Sequence, residues 1–452
     1  MKIGLYGGVA NNLYVVAKAF AKQGLDICFI RDRADRYPFS QPVWEDISCT
    51  LDYDQLASMT NWSWSQWEEW ETGLGWQAPA WLIDPLLISN SHEFTIHRSL
   101  GSVDKMILHF MSKKRSHWPA VLHCMAACDV LLVCGIDGSL LAFMSGKPFV
   151  ILPHGHDLRT AAGLHPPTSH YFYGLLSHWA LLRVLRKAYQ KALWIGTHDP
   201  SLLGGEVGNV LPKLETVEFK PFHIPLPIRE HHRKGKRLDV LTKLIEPLRL
   251  KIPQTDYIGF IPSRVDFFWK GHDRIFRALS QVPHKEKMHL IVLGWGQNYY
   301  DAREMTREMK LGRYVTFLPC ALSKPLLYEV FKAVDFVLDQ FQLGVYGTSA
   351  LEAMSCGTPV VIFMEEEPFR RRGWGVPPVL NAKNEKEIAG ILEGILLGDI
   401  DLETYGSTAQ DWVKRTHSEE LATISFLKEI QNDLFTSSTS FRTLLKNQTC
   451  TD

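Results

Sequence analysis

Residues 344–359, GVYGTSALEAMSCGTP, combine a glycine-rich approach, the adjacent hydroxyls of Thr348 and Ser349 and one glutamate in a spacing suited to anion chemistry. The pattern predicts a helix over 348–355. Ala350, Leu351 and Met354 fall on one face, and Thr348, Glu352 and Ser355 on another. Cys356-Gly357-Thr358-Pro359 then supplies a glycine stop followed by proline. The apolar run DFVLD (335–339) precedes it, so the helix would start beyond the C-terminal end of a strand, where open α/β sheets bind ligands. Free N–H groups and the helix dipole there favour an anion such as a diphosphate. Gly347 lets the backbone approach closely, and Ser349 sits beside Thr348 in the first turn. Glu352, one turn in, is placed to accept bonds from adjacent hydroxyls. A capped amphipathic helix with a solvated glutamate would read the same way.

Three other segments carry candidate chemistry. In SRVDFFWKGHD (263–273), Arg264 and Lys270 follow the apolar run DYIGFI (256–261). Two cations six residues apart across a turn can converge on one pair of phosphates, Arg as a planar fork and Lys as a point charge. The intervening Phe267-Phe268-Trp269 argues against a wholly solvated loop. PHGHDLR (153–159) crowds His154, His156, Asp157 and Arg159 into one loop, as an Asp–His dyad or as hydrogen-bonding groups for a polar ligand. The opening turn, Tyr6 to Asn12, contains Gly7, Gly8, Asn11 and Asn12 and looks like a phosphate-binding first turn, but it does not complete G-x-G-x-x-G.

The elements that must position these residues read as short apolar runs alternating with amphipathic helices. Strands are expected at 2–6, 26–30, 130–134, 148–152, 256–261, 289–293, 314–318, 335–339 and 359–363. Runs of about five apolar residues suit parallel strands buried on both faces. Helices are expected at 12–23, 324–333 and roughly 403–433. Strand and helix in alternation argue for parallel α/β sheets. The series breaks between about 225 and 255, where IPLPI leads into the polar REHHRKGKR, so the domain boundary is placed near 228. Residues 61–81 hold Trp62, Trp64, Trp67, Trp70, Trp76 and Trp81. They suit either a membrane-interface or acceptor patch or an insertion that packs on its own domain; the second reading is preferred.

At 452 residues the chain is too long for one ordinary core. Lys plus Arg (49) equal Asp plus Glu (49), so no global field draws it to nucleic acid. The start MKIGLYGG lacks the apolar run of a signal peptide. No C-x-x-C pair occurs among the eight cysteines, which argues for reduced thiols in a cytoplasmic protein and against a metal site.

Taken together, these segments resemble the retaining glycosyltransferases of family 4, which have the GT-B fold of two facing Rossmann-like domains with parallel sheets and an interdomain cleft. The resemblance spans most of residues 1–410: the glycine-rich first turn, HG-x-D-x-R at 154–159, the R…KG turn, and EAM-x-CG-x-PVV at 352–361. It implies a first, acceptor-side domain over 1–228 carrying the Trp-rich insertion, and a donor domain over 229–405. A helical segment at 406–435 would return toward the first domain, ahead of a mobile tail at 436–452. It also implies a nucleotide diphosphate sugar, UDP- or GDP-type, as co-substrate, with no cofactor and no metal. The acceptor stays open between a saccharide, a lipid-linked carrier and a protein, and peripheral contact with the inner face of a membrane goes with the second.

Carried over by position, Glu352 looks like the glutamate that binds the donor ribose, and Arg264 and Lys270 like the pair on the diphosphate. Gly347, Thr348 and Ser349 match the helix start beneath the phosphates. His154 and Asp157 match the loop at the transferred sugar and reaction centre. FLPCAL (317–322), with Leu318 and Pro319, matches the stretch that flanks the base through its backbone. Gly7, Gly8, Asn11 and Asn12 match the loop facing phosphate or acceptor. One position departs: Gly344 stands where the family commonly carries a glutamate near the transferred sugar. Asp339 and Gln340, in LDQF-x-x-G-x-YG, are the polar residues on hand to replace it. The expected activity is metal-independent sugar transfer with retention. A binding protein that has lost catalysis and a sugar-nucleotide epimerase are the competing readings, and the incomplete glycine fingerprint disfavours a nicotinamide dehydrogenase.

Overall fold

Nine short apolar runs become strands within a residue of their expected limits, because each is buried from both sides of a parallel sheet. The computed structural model describes residues 1–437 other than 9–10, 88–96, 98–99, 114, 164–174, 198–199, 201–213, 215–217, 231–238, 240, 244–249 and 374. Most of the expected linker REHHRKGKR and nearly all of the expected mobile tail lie outside the described residues.

In chain order the strands are β1 (Ile3–Tyr6), β2 (Ile27–Ile30), β3 (Thr50–Asp52), β4 (Leu82–Ile83), β5 (Val130–Val133), β6 (Phe149–Ile151), β7 (Ile195–Thr197) and β8 (Phe219–Pro221). There follow β9 (Tyr257–Ile261), β10 (Met288–Leu293), β11 (Val315–Leu318), β12 (Cys320–Leu322), β13 (Phe336–Leu338), β14 (Val360–Ile362) and β15 (Leu380–Asn381). Seven form one sheet in the order β4-β2-β1-β5-β6-β7-β8, and six a second in the order β11-β10-β9-β13-β14-β15. Their neighbours pair in parallel; β1, for example, matches Ile3 to Ile27 on one side and to Val130 on the other. The strand order reverses between β1 and β5 in the first sheet and between β9 and β13 in the second, the kind of switch point at which open α/β sheets bind ligands.

The helix expected over 403–433 is two, Leu402–Thr416 and Glu419–Ser437. The chain at 224–226 crosses the break. Leu226 N–H donates to the His417 carbonyl at 2.7 Å, and Leu226 bridges Ser418. Helix Glu419–Ser437 lies against the first sheet's domain: Phe426 packs on Phe20 with ring centroids 4.9 Å apart, and Lys220 pairs with Asp433 at 2.9 Å. Among the described residues no helix is long and apolar enough to cross a membrane.

The remaining two strands join the halves. β3, from the first half, pairs antiparallel with β12 from the second, setting Asp52 against Cys320, Leu51 against Ala321 and Thr50 against Leu322. Ser323 N–H extends the contact to the Cys49 carbonyl at 3.0 Å. The tryptophan segment lies behind this pairing. Trp67 is fully buried, with the rings of Trp62, Trp64 and Trp70 at 5.6, 6.2 and 5.5 Å. Trp44, Leu51 and Met59 complete the cluster, and so does Ala321 from the opposite half. The insertion therefore packs on its own domain, as preferred from sequence, and also on the other one. Trp67→Ala should cost about 3–5 kcal/mol of stability, read as a lower urea midpoint; an unchanged midpoint would show that this cluster does not hold the insertion.

Candidate functional site

The cleft between the halves encloses about 890 Å³. Asp35, Tyr37, Phe39, Ser40 and Tyr53 line it from the first half, and Arg264, Lys270, Trp295, Lys324, Gly347, Thr348 and Ser349 from the second. Arg264 follows β9, while Asp339 and Gln340 follow β13, so these groups stand at the switch point of the second sheet.

The helix over Thr348–Ser355 forms as its pattern predicts, with Gly347 as an extended N-cap and no side chain capping it. Its first-turn N–H groups face the cleft beside Thr348 and Ser349. Lys270 converges on the same end. Its ammonium lies 3.8 Å from where a Cβ on Gly347 would sit, and it donates to Gln340 Oε1 at 3.1 Å beside Asp339 Oδ1 at 3.4 Å. Asp339 is fully buried and its Oδ2 has no partner. Gln340 hands the linkage on by donating from Nε2 to the Val345 carbonyl. Arg264 is half exposed and bonded to Asp266 at 3.3 Å, so its guanidinium keeps donors for a ligand.

His272, which the sequence reading passed over, braces this loop. Its Nδ1 accepts the Asp266 N–H at 3.0 Å, which leaves Nε2 to donate to Ser263 Oγ at 3.2 Å. Burial holds its pKa down at about 4, so the ring is neutral.

Gly344 has a physical reason for being glycine. Its φ of 65° is left-handed, and a Cβ there would come within 2.8 Å of Glu365 Cγ. A glutamate does not fit this backbone.

Glu352, expected to meet the donor's hydroxyls, is not among the residues that line the cleft. It is 3% exposed and paired to Lys324 at 2.5 Å, with Oε2 unpartnered. Glu45 comes to the same pair from the short helix Val43–Asp46 of the first half, which contacts helix Lys324–Ala333. Burial raises the Glu352 pKa, and Lys324 opposes that rise. Burial also disfavours the Lys324 ammonium, but Glu352 and Glu45 outweigh it and its pKa rises. Burial pushes Glu45 up to about 8, with Lys324 pulling it down and Glu352 pushing it up. Lys324 and Glu45 were invisible as site residues, because each sits in an ordinary helix start and they meet only across the cleft.

On the first half, Asn12 Nδ2 approaches His154 Nδ1 at 3.5 Å, so the opening turn and the 153–159 loop adjoin. Burial lowers the His154 pKa, and Asp157 and Asp35, the latter on the cleft wall, oppose that. Asp157 is not joined to the His154 ring as a dyad. Oδ1 accepts the His154 and Leu158 N–H groups at 2.8 and 2.9 Å, and Oδ2 accepts Gly135 N–H at 3.1 Å. It is a positioning residue for the loop. Asn11, left-handed at φ 54°, donates from Nδ2 to the Gln41 carbonyl at 2.6 Å and is buried. A Cβ on Gly7 would strike Cys134 Sγ at 2.4 Å, and one on Gly8 would lie 3.3 Å from the Ser40 carbonyl. These residues therefore shape the turn.

The expected base-flanking stretch, 317–322, reaches the cleft through Ala321 and Leu322, while Leu318 and Pro319 are not in its lining. The Leu318 carbonyl accepts Gly294 N–H at 2.6 Å, and Cys320–Leu322, just past Pro319, pair with β3. Aromatic rings wall the cleft beside Ala321 and Leu322, with Phe39 and Trp295 centroids 4.4 Å apart.

Residues 247–370 match the model of the family "glycosyl transferases group 1". No curated protein matches the chain by sequence. Among solved structures, sucrose-phosphate synthase from Thermosynechococcus elongatus aligns with a TM-score of 0.60 at 14% identity, over 97% of this chain and 100% of that one. Anabaena HepE in complex with UDP and glucose aligns with a TM-score of 0.58 at 14% identity, over 96% and 100%. WaaG, a glycosyltransferase involved in lipopolysaccharide biosynthesis, aligns at 0.52 and 12% identity, over 94% and 98%. At these identities the likeness establishes the fold, GT-B.

The raised Glu45 pKa gives a signed pH effect. Unfolded, this carboxyl releases its proton near 4.5, and folded near 8. Between those values the folded state holds the extra proton, so stability falls as pH rises through the window and levels off above it. Glu45→Gln should make the melting temperature less dependent on pH from about 5 to about 8; a slope equal to that of the unaltered protein would show that Glu45 titrates normally.

Proposed function

We propose that this chain transfers a sugar from a nucleoside diphosphate sugar to an acceptor hydroxyl, with retention and without a metal. The reading starts from the group 1 glycosyltransferase match over 247–370, which contains Arg264, Lys270 and the helix Thr348–Ser355. One observation carries it: two cations and an uncapped helix N-terminus line one wall of an interdomain cleft at a sheet switch point. A diphosphate is the ligand whose charge that wall complements. The neighbours named above, one solved with UDP and glucose, support a nucleotide-sugar donor and a UDP-type base.

In this scheme the bond between the sugar anomeric carbon and the β-phosphate oxygen breaks first. Negative charge builds on that oxygen and meets Lys270, Arg264 and the Thr348 and Ser349 N–H groups, preorganised donors of a kind commonly worth about 3–4 kcal/mol each. The acceptor hydroxyl attacks from the face the phosphate leaves, and the phosphate takes its proton. Gln340 and Asp339 hold the Lys270 ammonium in place. Glu352 is assigned to the ribose hydroxyls by its place in the matched motif, and its buried, unpartnered Oε2 becomes their acceptor only when a donor displaces the side chains that cover it. The two halves together exclude the water that would hydrolyse the donor.

Arg264→Ala should lower turnover by about 10²–10³ and leave the melting temperature unchanged, because that side chain is half exposed. Lys270→Ala should lower turnover similarly and also destabilise, since buried Asp339 loses its cation. Transfer should survive EDTA. Wild-type rates in Arg264→Ala, or a strict divalent-metal requirement, would remove the scheme. Glu352→Ala should weaken nucleotide binding at least about tenfold in calorimetry; unchanged affinity would remove its ribose role.

A further inference from the structure

A nucleobase carries no charge, so its site must be built from ring faces and from hydrogen-bonding groups at its edge. One corner of the cleft holds both. Trp295 lines the cavity just past β10, and Phe39 reaches the same wall from the first half. Both residues are half-buried, so part of each ring stays open to the cavity. Their planes are tilted by 35°, and together they form one aromatic wall. Ala321 and Leu322 bound it. The indole Nε1–H of Trp295 is enclosed and has no hydrogen-bond partner among the described residues. No hydrogen bond fixes the tilt of the ring, and one donor is left for whatever lies beside it.

The corner stands where a base would fall. The sheet order β11-β10-β9-β13 sets the helix Thr348–Ser355 beyond β13, Arg264 beyond β9 and Trp295 beyond β10. From the helix start to Trp295 is two strand spacings, about 10 Å, the scale of the span from a diphosphate across a ribose to its base. Glu352, assigned to the ribose, bonds Lys324, which follows Leu322 by two residues, so the ribose residue adjoins the same corner. The loop of Trp295 is braced on the loop of Arg264. Val265 N–H donates to the Trp295 carbonyl at 2.7 Å, and Asn298 N–H to the Val265 carbonyl at 3.2 Å. The ring and the arginine therefore share one support.

We propose that Trp295 receives and selects the donor's base, its ring stacking on the base and its indole N–H donating to an exocyclic carbonyl. Stacking alone does not discriminate, because every base has a π-face. The N–H does. Uracil at C4 and guanine at C6 present an oxygen where cytosine and adenine present an amino group, which cannot accept this bond. Phe39 makes the pocket a joint product of the two halves. The inference rests on the nucleotide-sugar reading above and names the residue that reads the base.

The test is calorimetric titration of the full chain with UDP, CDP, GDP, ADP and inorganic pyrophosphate, the last having the phosphates without a base. UDP should bind at least about tenfold more tightly than CDP, or GDP than ADP. Trp295→Phe, which keeps a ring and drops the donor, should bring the preferred nucleotide down to the affinity of its amino counterpart. Trp295→Ala should weaken both at least about tenfold and leave pyrophosphate unchanged, and Phe39→Ala should act in the same direction. Equal affinity for all four nucleotides, a Trp295→Phe chain that keeps the preference, or a Trp295→Ala chain that binds as tightly as the unaltered one would overturn the proposal. Equal loss of nucleotide and pyrophosphate in Trp295→Ala would overturn it too, by showing a merely structural ring. Unchanged nucleotide affinity in Phe39→Ala would remove the first half from the pocket. If the unaltered chain binds pyrophosphate but no nucleotide better, the base site fails while the anion wall stands; if it binds neither, the transfer scheme itself fails.

Discussion

The cleft depends on three residue pairs. Thr50–Asp52 of the first half hydrogen-bond as a strand to Cys320–Leu322 of the second, and this fixes how close the two sheets come. Backbone pairing between strands is directional and register-specific, unlike the sliding contact of two apolar surfaces. With the register set, helix Val43–Asp46 lies on helix Lys324–Ala333, and Phe39 lies on Trp295. The aromatic wall and the Glu45–Lys324–Glu352 group both follow from that placement. The backbone groups that pair there are not free for a ligand, but the outer edge of Cys320–Leu322 is not used by the pairing.

The second constraint is how one wall keeps positive charge available. An ammonium held between Asp339 and Gln340 is positioned but not wholly neutralised, since Asp339 lies behind it and away from the cavity lining. The same Gln340 bonds the Val345 carbonyl and so couples Lys270 to the turn at Gly344. That turn needs a left-handed residue packed on Glu365, which is why its glycine and the Asp-Gln pair belong to one design. The helix at Thr348 starts from the end of this turn, so cation and dipole share one support.

How far the sequence could be read follows from burial and distance. Strands buried on both faces leave near-continuous apolar runs, and those were found. The missed strands β3, β4, β7, β8, β12 and β15 have two or three residues each, such as TLD, FKP and LN, too few to make a pattern. Arg264, Lys270 and Gly347 to Ser349 were legible because cations and glycines gather where strands end and anions bind. Glu352 was legible as a residue but not in its environment. Its ion pair with Lys324 spans 28 positions, and Glu45 is set against both only through the fold. Asp157 read as half of a dyad because sequence shows the carboxylate but not the amides it accepts.

Overall neutrality hides the most informative feature of the surface. Equal numbers of acids and bases exclude a global field, yet the transfer reading rests on a local group of cations. In the cleft, Arg264 and Lys270 are partly balanced by Asp266 and Asp339, and the helix N-terminus adds positive potential without adding a residue. A ligand bound deep in a cleft calls for few charges held rigidly. The cleft keeps its cations close to carboxylates that position them, and a net charge of zero averages that local arrangement away.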